Sequence, residues 1–174
     1  MGSVVFFRAV NVGGHQKFQP SVLAKALAKF GVVNVGAAGT FVVRETVGQE
    51  KLRAEIHRRL PFKPELMISP AREILELTRS EPFRGAPAGK DVGRFVSVMS
   101  KVPRTLPRLP LDQPAGDKWE VRIVGIRGRF ALSLRQRRER ATAYPNEVVE
   151  KHLGIPATTR NWNTISTICQ ILGE

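Results

Sequence analysis

Apolar and polar residues recur with two different periods along this chain, and the switches between them outline its elements. Val4 to Val10 is a short apolar run rich in β-branched residues and flanked by glycine, the pattern of a buried strand. "NVGGHQK" follows as a loop. Val22, Leu23, Ala26, Leu27 and Phe30 then fall at helical spacing. Pro20 suits a first helical position, Gln19 is a modest cap, and Gly31 marks the stop. "VVNV" and "TFVV" predict two strands around the Gly-rich turn "GAAG". Leu52, Ile56 and Leu60 lie four apart on a second helix that Pro61 ends, and "ELMIS" predicts one more strand. The order β-α-β-β-α-β is the ferredoxin-like arrangement.

Ser69 and Pro70 supply a cap and a first turn for a third helix through about Thr78. "EPFRGAPAGKD" is a loop and the expected boundary between residues 1–80, ferredoxin-like, and 81–174, a smaller α+β half packed with it. In that second half "GRFVSVMS" alternates as a strand. Residues 102–116 carry Pro103, Pro107, Pro110 and Pro114, which excludes a central strand and predicts a long, partly extended connection. "KWEVRIVG" and "GRFALSL" predict a hairpin. Two terminal helices close the chain. The first runs from about Pro145 to Leu153, with Gly154 as its stop, and the second from about Arg160 to Leu172. Trp162, Ile165, Cys169 and Leu172 form an apolar stripe on the last one, with Trp162 buried as its first anchor. The fold class is α+β.

Composition narrows the function classes. Lys and Arg outnumber Asp and Glu by 28 to 15 over 174 residues. The resulting positive field attracts polyanions such as nucleic acid or phosphorylated metabolites. Cys169 is the only cysteine, which excludes a disulfide framework and a Cys-based zinc site. His15, His57 and His152 show no ligand spacing, so no metal is expected. No nucleotide-cofactor fingerprint or nucleophile elbow is present, and no cofactor is expected. No apolar run approaches the length of a membrane span and no signal-peptide core precedes the first strand, so the expected location is cytoplasmic, without membrane partners.

"GIPATTRNWNTI", residues 154–165, is crowded with hydrogen-bonding side chains from Thr158 to Thr164, with no acid among them. Thr158 or Thr159 reads as a helix cap. Arg160 then falls in the first helical turn, where the dipole disfavours a cation by up to about 1 kcal/mol. An anion held there by Thr159, Arg160, Asn161 and Asn163 would resolve the conflict. That anion is either a carboxylate elsewhere in the chain or a phosphate or carboxylate on a ligand. Near the start, "FFRAVNVGGHQK" sets Arg8, Asn11, Gly13, Gly14 and Lys17 at the end of a strand. Ligands bind at such strand ends in α/β sheets, and successive glycines let N–H groups converge on an anion. A βα turn needing positive φ explains the same glycines without a ligand. His15 in this loop is a candidate acid or base.

The two stretches together resemble a known family. "RAVNVGG" and "PATTRNWNT" are similar to the "RGINVGG"-like and "PATTRNWNT" signatures of family 1697 of domains of unknown function, small bacterial proteins. Ala9 stands where that family usually has Gly, and "AGTFVV" replaces "SGNVVF". The resemblance implies an α+β fold with a ferredoxin-like first half and supplies no reaction. The family signature favours the two motifs as the location of a site, and the residues there suit an anionic small molecule. A different location follows from charge alone. Eight basic residues face two acids between Lys118 and Arg140. Strand alternation would place Arg122, Arg129 and Arg135 on one solvent face, extended by Arg137 and Arg138. Such a face would bind nucleic acid weakly and without sequence preference, through phosphate.

Overall fold

The computed structural model describes residues 1–9 and 17–173. The chain divides into two compact units, Met1–Arg79 with Ser166–Glu174, and Ser80–Ile165.

In the first unit, strand β1 (Ser3–Phe7) is buried at every position and pairs antiparallel with both β3 (Thr40–Val43) and β4 (Leu66–Pro70). Strand β2 (Val32–Asn34) pairs with β3, giving the order β2-β3-β1-β4. With helices α1 (Pro20–Ala26) and α2 (Gln49–His57) as the crossovers, this is the ferredoxin-like order. The period-2 pattern of the strands explains the core. Val5, Phe7, Phe41, Val43, Leu66 and Ile68 share a face and meet Leu23 and Leu27, then Leu52 and Ile56 from the helices. Phe7 stacks on Phe18 at 5.1 Å and tilts against Phe41 at 5.3 Å. The opposite face, with Val4, Phe6, Val42 and Met67, is buried as well, which is why these strands read as continuous apolar runs. Helix α3 (Ala71–Arg79) buries Ala71, Ile74 and Leu77 at helical spacing, and Ser69 donates its hydroxyl to Glu73 at the helix start.

The first helix is shorter than its apolar spacing predicts. It ends at Ala26, and Ala28–Phe30 tighten into a 3₁₀ turn before Gly31, whose φ of 61° stops it. Strand β1 likewise stops at Phe7, before Val10, and Ala9 adopts φ 53°, the left-handed conformation that suits glycine. Val10 lies outside the described residues.

In the second unit, β5 (Val92–Met99), β6 (Leu111–Gln113), β7 (Val121–Arg127), β8 (Phe130–Gln136) and β9 (Ala157–Asn161) form an antiparallel sheet ordered β6-β7-β8-β5-β9. Helix α4 (Pro145–Leu153), ended by Gly154 at φ 64°, packs Val148 and Val149 against Met99, Val121, Ile123 and Ala131. The expected hairpin is β7–β8. The proline-rich connection contributes only β6, three residues at the edge of the sheet, where a missing N–H costs no ladder bond.

The largest departure from expectation is β9. Residues 157–161 read as a helix start, yet they pair with β5 through Ala157↔Met99, Thr159↔Ser97 and Asn161↔Phe95. Helix α5 begins only at Trp162 and runs to Gly173. It buries Ile165 and Ile168, while Trp162, Cys169 and Leu172 are half-buried, so the apolar stripe is shifted toward Ile168 and its first anchor is only partly covered.

Candidate functional site

Because β9 is a strand, the side chains of the "TTRN" run alternate between the two faces of the sheet. Thr159 shares a face with Ser97. Its hydroxyl lies 2.6 Å from Ser97 Oγ and donates to Asn146 Oδ1 at 2.8 Å. The Asn146 amide donates to Glu150 Oε1, which also accepts the Ala157 N–H at 3.0 Å. This chain of bonds ties α4 to β9 and gives the buried Ser97 hydroxyl of β5 its partner.

Arg160 leaves the other face. It is only 7% exposed, and its Nη1 donates to Thr158 Oγ1 at 2.7 Å and to the Thr159 carbonyl at 3.0 Å. Burial pushes its pKa down to about 10, still cationic at neutral pH. Arg160 lies in β9 and not in the first turn of the helix, so the first-turn position that pointed to an anion is not its place. The helix cap is Asn161, not Thr158 or Thr159. Its Oδ1 accepts the Thr164 N–H at 2.8 Å and the Thr164 hydroxyl at 3.0 Å.

Beyond Asn161 the motif opens into a cleft. Asn161, Trp162 and Asn163 line it from the start of α5, Val92, Gly93, Arg94 and Phe95 from the start of β5, and Arg137 from the end of β8. Its volume is about 340 Å³, within the range of small-molecule sites. No lining residue is acidic, and among the described residues neither Arg94 nor Arg137 forms an ion pair. The Arg94 guanidinium lies over the Phe83 ring at 5.7 Å, and Phe83 meets Trp162 edge-on at 5.1 Å. Arg94, Phe83 and Trp162 are therefore held in a row. The Phe95 ring folds back over Gly93, where a Cβ would lie 2.7 Å from Phe95 Cε2. Only glycine at 93 lets the ring take that position.

The remaining expected residues separate. Arg8 donates to Glu65 at 3.1 Å, a half-exposed ion pair beside its own strand. Lys17 is exposed on a mostly apolar cleft with Phe18, Val22 and Leu60. Asn11, Gly13, Gly14 and His15 lie outside the described residues. The expected single arginine face does not form. Arg122 stands opposite Leu134 and Arg135 opposite Val121, so the two project from opposite sides of the sheet. Arg129 falls in the turn between β7 and β8. Arg122 is clamped by Asp112 at 2.6 and 2.9 Å and stacks on Trp119 at 4.3 Å. Arg135 stacks on Tyr144 at 4.3 Å and donates to the Ala143 carbonyl. Arg138 reaches Gln136 Oε1, and Arg137 and Arg138 remain exposed. The cleft thus joins Asn161 and Asn163 from one expected site to Arg137 from the other. Sequence reasoning missed Arg94, Phe95 and Phe83. The only local signal was a basic residue at the polar entrance of an otherwise apolar strand.

Among the described residues no group of three or more His, Cys, Asp or Glu could hold a metal ion, and no helix is long and apolar enough to cross a membrane.

The family model described as "Protein of unknown function (DUF1697)" matches residues 1–126, a stretch that stops short of the C-terminal motif. No curated protein matches the chain. Among solved structures, the chain is similar to the conserved bacterial protein SP0830 from Streptococcus pneumoniae. The TM-score is 0.54 and the identity 17%, over 98% of each chain, a likeness of fold.

Proposed function

The chain belongs to family 1697 of domains of unknown function, and we propose that this member binds a small anionic ligand, carrying phosphate or carboxylate, in the cleft between the starts of β5 and α5. The observation that carries this reading is that Arg94 and Arg137 both line an acid-free cleft whose lining also includes Asn161 and Asn163. Guanidinium groups bind oxyanions in a two-pronged geometry, and a partly enclosed site strengthens the attraction. Asn161 Oδ1 is engaged by Thr164, so its amide N–H₂ is the group it presents to a ligand. Thr159, Arg160 and Arg8 already bond within the fold, so the proposal places the charged contacts on Arg94 and Arg137.

The test is thermal unfolding with and without phosphate or sulfate. At ten times the dissociation constant, a ligand specific to the folded state adds about 1.4 kcal/mol. For a chain of this size that is a rise in Tm of about 3–6 °C. Arg137→Gln and Arg94→Gln should each remove most of the rise, while Lys17→Gln should leave it. Equal stabilisation of wild type and both arginine variants would reduce the effect to general salt and sink the proposal.

A further inference from the structure

Two arginines suffice for an anion, yet this cleft also carries two aromatic rings. We infer that its ligand is a nucleotide, with the phosphate on Arg94 and Arg137 and the planar base against Phe95 and Trp162. The inference rests on the anion reading and adds the chemistry of what bears the charge. Both rings are half-buried and line the same cleft as the arginines; Arg94 and Phe95 leave opposite faces of β5, so they meet the cleft around the strand edge at residues 92–94 that β9 does not cover. Half-exposed aromatic surface is apolar area left in water, and a stacked base would cover it. Trp162 is braced edge-on by Phe83, which is itself covered by the Arg94 guanidinium, so the platform is set before any ligand arrives. Gly93 leaves room for the Phe95 ring to lie back along the strand. The Asn161 amide N–H₂, whose oxygen is held by Thr164, offers a donor that suits a base edge. A sugar phosphate alone would use the arginines and leave both rings idle. Exposed Arg138 and Arg140 follow Arg137 in the chain, so a nucleotide at the end of a single strand could continue along them.

Calorimetric titration of the full chain with adenosine and uridine 5′-monophosphates, ribose 5-phosphate, inorganic phosphate and a short 5′-phosphorylated single-stranded oligonucleotide tests this. One base stacked on an aromatic ring should make a mononucleotide bind about 5- to 150-fold tighter than ribose 5-phosphate. Phe95→Leu and Trp162→Leu should erase that margin and leave phosphate affinity unchanged. Phe95→Leu carries the test alone if the tryptophan variant does not fold. Arg137→Gln should weaken every ligand. Ribose 5-phosphate binding as tightly as the mononucleotides would overturn the nucleotide inference and leave the anion reading standing. Absence of binding by all of them would remove both. A tighter oligonucleotide assigns the site to a nucleic-acid end, and a tighter mononucleotide to a free nucleotide.

Discussion

Replacing Thr159 with valine keeps the side-chain volume and the β-branching that suits β9, and removes a single hydroxyl. That hydroxyl donates to Asn146 Oδ1, so in its bond with Ser97 it is the acceptor. Ser97 is fully buried, and its O–H would be stranded where water cannot reach it. A buried donor left without its partner costs about 1–3 kcal/mol. Asn146 is only half-buried and can turn to solvent, so its loss adds little. The expected total is about 2 kcal/mol, or a fall of about 1 M in the urea midpoint at a slope of about 2 kcal/mol per M. The control is the double variant Ser97→Ala, Thr159→Val. With both polar groups gone nothing is stranded, and the pair should be less harmful than the two singles added, with a coupling of about 1 kcal/mol. Chemical denaturation followed by circular dichroism measures all three variants. A Thr159→Val protein within about 0.5 kcal/mol of wild type, or a double variant equal to the sum of the singles, would refute the account of this motif as a tie between α4 and β9.

Ala9→Gly should stabilise the protein by about 0.5–1 kcal/mol in the same assay, because relief of the left-handed φ of 53° at an exposed position outweighs glycine's extra freedom when unfolded. Gly154→Ala is its reciprocal, placing a side chain at φ 64° beyond α4 at a cost of about 1–2 kcal/mol by thermal melting. Glu55 is held below the usual carboxylate pKa first by the hydrogen bond from Arg59, which desolvation opposes, while the charges of Arg58, Lys29 and Arg59 add to the lowering. Its contribution to stability is therefore present above the ordinary glutamate pKa and disappears as pH falls through the lowered one. Glu55→Gln should melt lower than wild type at pH 7 and level with it in strong acid.

Where the sequence was legible, the elements were decided by local patterns. The runs at Val4–Phe7, Phe41–Val43 and Met67–Ile68 are apolar on both faces, and glycine or proline punctuates the helices at Gly31, Pro145 and Gly154. The misread element is β9, whose partner on β5 lies about 62 residues away in sequence, as Ser97 and Thr159 show. Threonine and asparagine serve as caps locally and as strand residues when a remote strand supplies their bonds, and here the remote strand prevails. Consecutive β-branched threonines just after Pro156 were the available hint. The cleft was only half legible for the same reason: Asn161 and Asn163 belong to one segment, Arg94 and Arg137 to two others, and sheet pairing decides that they meet.

Strand β6 has a consequence for how this basic protein behaves in concentrated solution. A sheet edge offers open N–H and C=O groups on which another chain can grow, and long flat edges seed aggregates. Here the edge beyond β7 is three residues long, bracketed by Pro110 and Pro114, with Asp112 gripped by Arg122 beneath it. Neither proline can donate to an incoming strand, so the row of groups is interrupted at both ends. The proline-rich connection that weakened any strand reading of residues 102–116 thus closes this side of the sheet against fibre growth, and replacing Pro110 or Pro114 would lengthen the template.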